Sequence, residues 1–524
     1  MGYPHDSTQT PKYLYGAAVQ GIQGFIFQTN KLREIVGASE LVEEICTTAF
    51  DEFGGEKGPQ NEKSILRAAG NIKHIFDSRK ACEEAVKAFP KKVMEMAPGI
   101  TVSQAVVTYG DEEPTKTFEK AVELLEERLR IQRNRPMRST TLGLMGIKRS
   151  RKTGLPAVEK EDDDFLDLPT QKKRTVVSVA HYELCIKSFG IENLKDRIAL
   201  DINDITNKND WIAIIHADGN GLGQIVSKIG KKEKVFKEFS EKLDQATTKA
   251  ANSAFEAVKK HFDGLECIPI RPIVLGGDDL TLICRGDIAI PYVEVFLEEF
   301  ENQTERLLGD ILQDNQVFGK DGARKLTACA GIAYIKSSFP FYYGYALAEA
   351  LCSRAKKDAK KDERKQDGLA PSCLMFHKVQ DSFVEDFDEI AKRELTPQNY
   401  YSWEFGPYYL HEIVGRWKIS DLNKKIQKLE GKEGNAIKAH LRQWMSIMHR
   451  DTHAAEQKMK RMVAMASNFK SYIENDLLKS NDRTIRENDE DKIVHTYPVY
   501  DILALHSIVY QDTKQTTKEE HTDE

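Results

Sequence analysis

Three aspartates in this sequence have the type and spacing of a hard-metal site. Asp278 and Asp279 follow Gly276 and Gly277 in IVLGGDDLTLI (273–283), and Asp218 closes the apolar run WIAIIHAD about sixty residues earlier. Adjacent carboxylates at the tip of a turn repel each other and resist desolvation, so the arrangement makes physical sense with a divalent cation against them. Three carboxylates on rigid strand ends form an oxygen cage suited to Mg²⁺ or Mn²⁺. Two such ions about 3.5–4 Å apart activate an attacking hydroxyl and stabilise the leaving oxygen of an in-line phosphoryl transfer. Asp218, Asp278 and Asp279 are therefore the candidate metal ligands and catalytic residues. After Asp218 the chain turns through Gly219, Asn220 and Gly221 from a strand into a helix, and backbone amides in such a turn suit a triphosphate. GGDD alone reads equally well as a solvated turn, since Gly and Asp are ordinary turn residues. The second acid-bearing strand separates the two readings.

The elements that must position these acids recur twice. Asp218 ends the strand 211–218, Val235 to Phe262 has the period of a long helix, and the Gly276 hairpin follows. A helix over 291–308 and a strand over 326–335 complete a β-α-β-β-α-β order, the ferredoxin-like arrangement. In that topology the first strand lies beside the central hairpin, which brings Asp218 to Asp278 and Asp279. The same order runs earlier through a strand at 13–19, a helix at about 30–53, the hairpin ILRAAGNIKHIF (65–76), a helix at 81–96 and a strand at 100–109. Aligning the hairpins sets Ala68-Ala69-Gly70-Asn71 on Gly276-Gly277-Asp278-Asp279, and aligning the first strands sets Gln20 on Asp218. The period is too long for a solenoid, so this is a domain duplication whose first copy lacks all three acids.

The fold class is thus α+β, with two ferredoxin-like palm domains, an insert between them and a C-terminal helical domain. The expected boundaries are a degenerate first palm at 13–132, a charged insert at 133–209, the acid-bearing palm at 210–370, a helical domain at 371–511 and a disordered tail at 512–524. The insert carries the basic run Lys148 to Lys152 and the acidic run Glu159 to Asp164, which read as a solvated loop. The methionines 445, 448, 459, 462 and 465 read as helical core.

Composition narrows the function classes. The formal net charge of −6 supplies no global basic field, so nucleic acid could be held only by a local patch. Eight scattered cysteines include no CxxC pair, which argues for buried reduced thiols and against a thiolate zinc site. No apolar run reaches membrane-spanning length and the N-terminus has no leader-like apolar segment, so no membrane partner and a cytoplasmic location are expected. DGNGLG is not an EF-hand, because Ile229 stands where a bidentate Glu is needed, and it lacks the spacing of the dinucleotide fingerprint. His5-Asp6 sits in a polar tail and reads as chance.

The acid-bearing hairpin, the first-strand Asp and the acid-free preceding copy together resemble the large signature subunit of type III CRISPR effector complexes, of Csm/Cmr type. More distantly the second copy is similar to GGDEF and class III nucleotide cyclases. The resemblance extends to GIQGFIFQTNKLREIVGASELV (21–42), to ACAGIAYI (328–335) and to YALAEALCSRAKKDAKK (345–361), and covers most of 13–380. It implies two nucleoside triphosphates, usually ATP, between the palms. A 3′-hydroxyl is joined to an α-phosphate with release of pyrophosphate, giving cyclic oligoadenylate in antiviral defence. It implies that Asp218 and Asp279 bridge two metal ions with Asp278 as third ligand or orienting group, that Gly276 and Gly277 admit substrate to the backbone, and that Lys356 contacts a triphosphate. No HD nuclease domain is expected before the first palm, and the insert keeps Thr153 to Ala157 but has no cysteine over 133–174 and Cys185 alone beyond it, so zinc is not expected. A shortened or standalone member is the expectation, with RNA and CRISPR-type subunits as open partners and oligomeric state open. A non-catalytic RNA-binding scaffold and a nucleotide sensor are the alternatives.

Overall fold

The computed structural model describes residues 11–54, 63–68, 70–110, 117–135, 145–179, 182–192, 194, 197–206, 211–319, 322–366, 368–381, 386–465, 469–487 and 490–509. The expected tail at 512–524 lies outside them. In the first palm, β1 (Lys12–Gln20) is buried over six successive residues because both faces are covered. A short helix α1 (Ile22–Ile26) comes first, and the helix expected at 30–53 is two pieces, α2 (Leu32–Cys46) and α3 (Thr48–Gly54). Strands β2 (Ser64–Ala68) and β3 (Asn71–Phe76), helix α4 (Arg79–Met96), strand β4 (Thr101–Tyr109) and helix α5 (Phe118–Arg133) complete the copy. The sheet order is β2-β3-β1-β4, the ferredoxin-like order.

The insert is not a solvated loop. Hairpin β5 (Ala157–Glu161) and β6 (Asp164–Asp167) leads into α6 (Leu168–Val179), which packs on α2, followed by α7 (Glu183–Phe189) and α8 (Ile202–Ile205). Part of its charge is paired: Arg174 holds the buried Glu34 at 2.6 Å, and Lys152 reaches Glu34 at 3.1 Å and Asp164 at 3.4 Å, while Lys148, Arg151, Asp162 and Asp163 stay exposed.

The second palm consists of β7 (Trp211–Gly219), α9 (Leu222–Ile229), α10 (Glu233–Val258), β8 (Ile270–Gly276), β9 (Asp279–Arg285), α11 (Ala289–Asp314), β10 (Ala328–Lys336) and α12 (Phe341–Ala359). The sheet does not stop at the expected boundary of 370. Strand β11 (Cys373–Lys378) runs parallel to β10 and is itself paired, beyond α13 (Phe387–Glu394) and β12 (Tyr401–Ser402), by β13 (Tyr408–Tyr409). The order is β13-β11-β10-β7-β9-β8. Pro272 lies on β8, the edge strand, where a missing donor is tolerated, and the register shifts between Pro272 and Val274.

The remainder is the expected helical part with one hairpin added. Helices α14 (Ile419–Gln427), α15 (Gly431–Met448), α16 (Thr452–Met465) and the short α17 (Lys470–Tyr472) precede hairpin β14 (Asn481–Glu487) and β15 (Glu490–Thr496), which pairs with β12, and α18 (Val499–Val509) closes the chain described. Met448 and Met462 are core as expected, while Met465 is 69% exposed.

The palms cover each other reciprocally. From α2, Ser39 donates to the Ile273 carbonyl of β8, and Glu40 meets the fully buried Arg271 at 3.3 Å. From α10, Phe236 enters the core of Leu14, Ile65, Leu125 and Leu129 in the first palm, under the Lys73 ammonium.

Candidate active site

The pairing register assembles the three acids. In β7 and β9 Ala217 lies opposite Leu280, one step from Asp218 and Asp279, while Gly276 pairs with Asp279 and leaves Gly277 and Asp278 as a two-residue turn. Gly277 has φ +62°, the left-handed value that such a hairpin turn asks of glycine at its first central position. The turn is held from behind: Thr247 of α10 donates to the Gly277 carbonyl at 2.5 Å, and Asp244 accepts from the Gly277 amide at 3.4 Å and from Lys187 at 2.9 Å.

The carboxylate oxygens of Asp218, Asp278 and Asp279 lie within 4.8 Å of one another. Burial, then the neighbouring Asp218, pushes the Asp278 carboxyl up to about 7, and burial with Asp278 and Asp218 pushes Asp279 well above the usual carboxylate range. Converging acids that cannot all ionise comfortably are what a hard divalent cation relieves, so the donor set fits the metal expected of it. Lys356, from α12, forms an ion pair with Asp218 and donates to the Gly219 carbonyl at 2.7 Å. Burial works against its charge, but Asp218 outweighs it and raises the ammonium's pKa. Gly219 has no room for a side chain, since a Cβ there would stand 2.7 Å from Asp278 Oδ2.

Asn220 departs from expectation. Its amide donates to the Thr327 carbonyl at 2.8 Å, and its buried side chain bonds Thr327 at 3.0 Å and accepts from Cys329, so it pins the turn rather than facing a ligand. Gly221, at φ +72°, caps α9 and its carbonyl accepts from the amides of Gln224 and Ile225, which leaves those of Leu222 and Gly223 as the amides a helix start leaves without internal acceptors. They open on a cavity of about 840 Å³ whose wall includes Lys228, Lys360 and Lys365.

One step down the strands, on the same face, His216 meets Thr281 at 3.1 Å and the edge of Tyr345. Tyr345 is stacked on Phe27 at 4.7 Å and accepts from Gln23 at 2.7 Å, both from the first palm. Sequence reasoning passed over Asp244, Thr247, His216 and Tyr345, whose roles arise only in tertiary contact. Lys360, one helical turn beyond Lys356, had a legible signal.

The same register corrects one alignment. In the first palm Ala17 faces Ile72 and Ala18 faces Asn71, so Ala18, not Gln20, occupies the place of Asp218. A two-residue shift keeps every side chain on its face, and hydrophobic patterning cannot detect it. Gln20 matches Asn220, and Gly21 at φ +69° matches Gly221. The acid positions of the first copy are therefore Ala18, Gly70 and Asn71.

Fold and site define a paired-palm protein with one acid-bearing and one acid-free copy. Residues 211–365 match the family model described as Cas10/Cmr2, second palm domain. Among solved structures the chain is similar to the Csm1–Csm4 cassette in complex with pppApApA (TM-score 0.53), with AMPPNP (0.52) and with cA3 (0.51). Each is 12% identical, with 96% of this chain and 70% of that chain covered. No curated protein matches in sequence. Residues 211–365 thus resemble the second palm of Cas10/Cmr2, and the chain as a whole shares a fold with the Csm1–Csm4 cassette structures. No helix among the described residues is long and apolar enough to cross a membrane.

Proposed function

We propose that the chain is a nucleotidyltransferase that joins a 3′-hydroxyl to the α-phosphate of ATP, releasing pyrophosphate, and makes a cyclic oligoadenylate messenger for antiviral defence. The observation that carries this reading is the convergence of Asp218, Asp278 and Asp279 from register-matched strands. These carboxylates would hold two Mg²⁺ or Mn²⁺ ions, which when bound acidify the attacking hydroxyl and stabilise the leaving oxygen. Lys356 and Lys360, with the α9 amides from Gly221 onward, would take the triphosphate, the lysines neutralising the departing pyrophosphate. Gly276 and Gly277 keep the hairpin free of side chains that would hold substrate off the backbone. The similar structures bear on substrate class, being complexes of other proteins with AMPPNP, pppApApA and cA3. Their Csm4 chain supports a companion subunit here too, beside RNA. The scaffold alternative rested on the basic insert, and Lys152 is already committed to Glu34 and Asp164.

The test is incubation of the protein with labelled ATP and Mg²⁺ or Mn²⁺, with candidate RNA activators, followed by chromatography. Cyclic adenylate products that vanish in Asp278→Ala/Asp279→Ala are expected. No acid-dependent product under any of these conditions overturns the reading.

A further inference from the structure

The two palm sheets end differently, although their strands are equivalent. Ser103 on β4 pairs with Ala18 as Cys329 on β10 pairs with Asp218, so β4 and β10 are the same strand of the two copies. In the second palm β10 is covered by β11 over 329–334, and the sheet then stops at β13, which is only two residues long. So short an edge is a poor template for another chain. The opposite edge, β8, carries Pro272 and lies under Ser39 of α2. In the first palm β2 lies against α10, whereas no described strand lies beyond β4.

Strand β4 has none of the usual protections of an edge. It runs nine residues, TVSQAVVTY, with no charge and no proline, and pairs with β1 throughout without a register shift. Along it runs a groove of about 500 Å³ floored by residues 101–106. The Arg128 guanidinium donates to the Val106 carbonyl and marks one end. Six extended residues, about 20 Å of chain, match that length. Helices α4 and α5 lie on opposite faces of the sheet: Val106 joins the core of Phe89 and Val93, and Val107 that of Leu125 and Leu129. The groove walls differ accordingly. Val86 and Pro90 stand on the α4 side, and Arg133 and Arg135 at the end of α5. Both arginines are exposed, neither is paired with an acid among the described residues, and no acid lines the groove. A strand laid against β4 sends alternate side chains to the two faces, so apolar residues would cover Val86 and Pro90 while acidic ones meet the arginines.

We propose that the outer edge of β4 takes a strand from a partner protein, about six residues in which apolar and acidic side chains alternate, by the main-chain pairing that β11 supplies to β10. A second copy of this chain fits less well, because its β4 brings no acid and its own Arg133 and Arg135 add like charge. Segments of this chain outside the described residues fit no better: 1–10 has a single acid, 136–144 none, and 511–524 no apolar side chain. The proposal does not rest on the chemistry of the acid-bearing cleft.

The experiment uses the full chain and three fluorescein-labelled peptides followed by anisotropy. One peptide alternates Val and Glu, the second has Lys in place of Glu, and the third is the first with its amides N-methylated, which removes the strand donors. The Val/Glu peptide should bind, and each of the others at least about tenfold more weakly. Arg133→Glu/Arg135→Glu, at exposed positions, should reverse the preference in favour of the Lys peptide. Hydrogen exchange at the outward amides of 101–106 should be fast in the protein alone and slow with the Val/Glu peptide. Protection without peptide that grows with protein concentration assigns the edge to a second copy, and protection independent of concentration assigns it to a segment of this chain. Either result overturns the proposal, as does equal binding of the three peptides or no binding of the first.

Discussion

Gln23 donates a 2.7 Å hydrogen bond to the phenol oxygen of Tyr345, so a side chain of the acid-free palm ends in the wall beside the acids of the other. Truncation should therefore be felt across the palm boundary. Gln23→Ala is expected to cost about 1 kcal/mol of stability, as for one part-buried hydrogen bond, and Tyr345→Phe a similar amount. Urea denaturation measures both; nucleotide turnover should fall in each with the acids untouched.

Gly219 is a steric prediction. A methyl at this position stands 2.7 Å from Asp278 Oδ2 and 2.9 Å from its Cβ, so the carboxylate must move. Gly219→Ala should weaken Mn²⁺ binding at least about tenfold, as for residues that orient metal ligands. Titration followed by electron paramagnetic resonance reads this, while the melting temperature should change little.

The acids set a pH dependence whose sign follows from their raised pKa values. Asp278 titrates near 7 in the fold and near 4 when unfolded, so the folded state binds the proton more tightly. The contribution of Asp278 to stability of the metal-free protein should be fully present below about pH 4 and be lost as pH rises toward 7. Asp278→Asn should flatten that decline. Mn²⁺ must displace the same proton, so its affinity should climb over the same interval. Thermal scans with EDTA and with Mn²⁺ test both halves.

Arg271 and Glu40 are a buried pair across the palm boundary, and two guanidinium nitrogens of Arg271 lack partners among the described residues. Burial, against the pull of Arg271, pushes Glu40 up to about 7. Arg271→Ala should cost about 3–5 kcal/mol, since it leaves an unpaired acid and a void, whereas Glu40→Gln should cost much less. Denaturation of the two variants side by side decides this.

Much of the site was legible because its chemistry is local. GGDD declares a turn and two acids, and the ferredoxin-like strand order is enough to carry Asp218 to them. Asn220 was misjudged because a turn residue facing a ligand and one pinned to Thr327 look alike in sequence. The run CLMFHK is too short to distinguish a fifth strand from the start of a helical region, and only its pairing with β10 decides. The insert's charges looked solvated because Glu34, which Lys152 and Arg174 satisfy, is more than a hundred residues away.

The reciprocal covering, α2 over β8 and α10 over β2, bears on how this chain could change over time. Each copy completes the other's hydrophobic interior, so deleting the half without acids would strip the working half of its own wall. Acids could return to the acid-free half only by substitution at Ala18, Gly70 and Asn71, and at Gly70 the φ of +79° and Ile22, 2.4 Å from a Cβ, oppose it; loss of the whole half could not be reversed by substitution at all. Duplication followed by mutual burial acts as a ratchet, and folding cooperativity is one sufficient reason for an acid-free domain to stay in place.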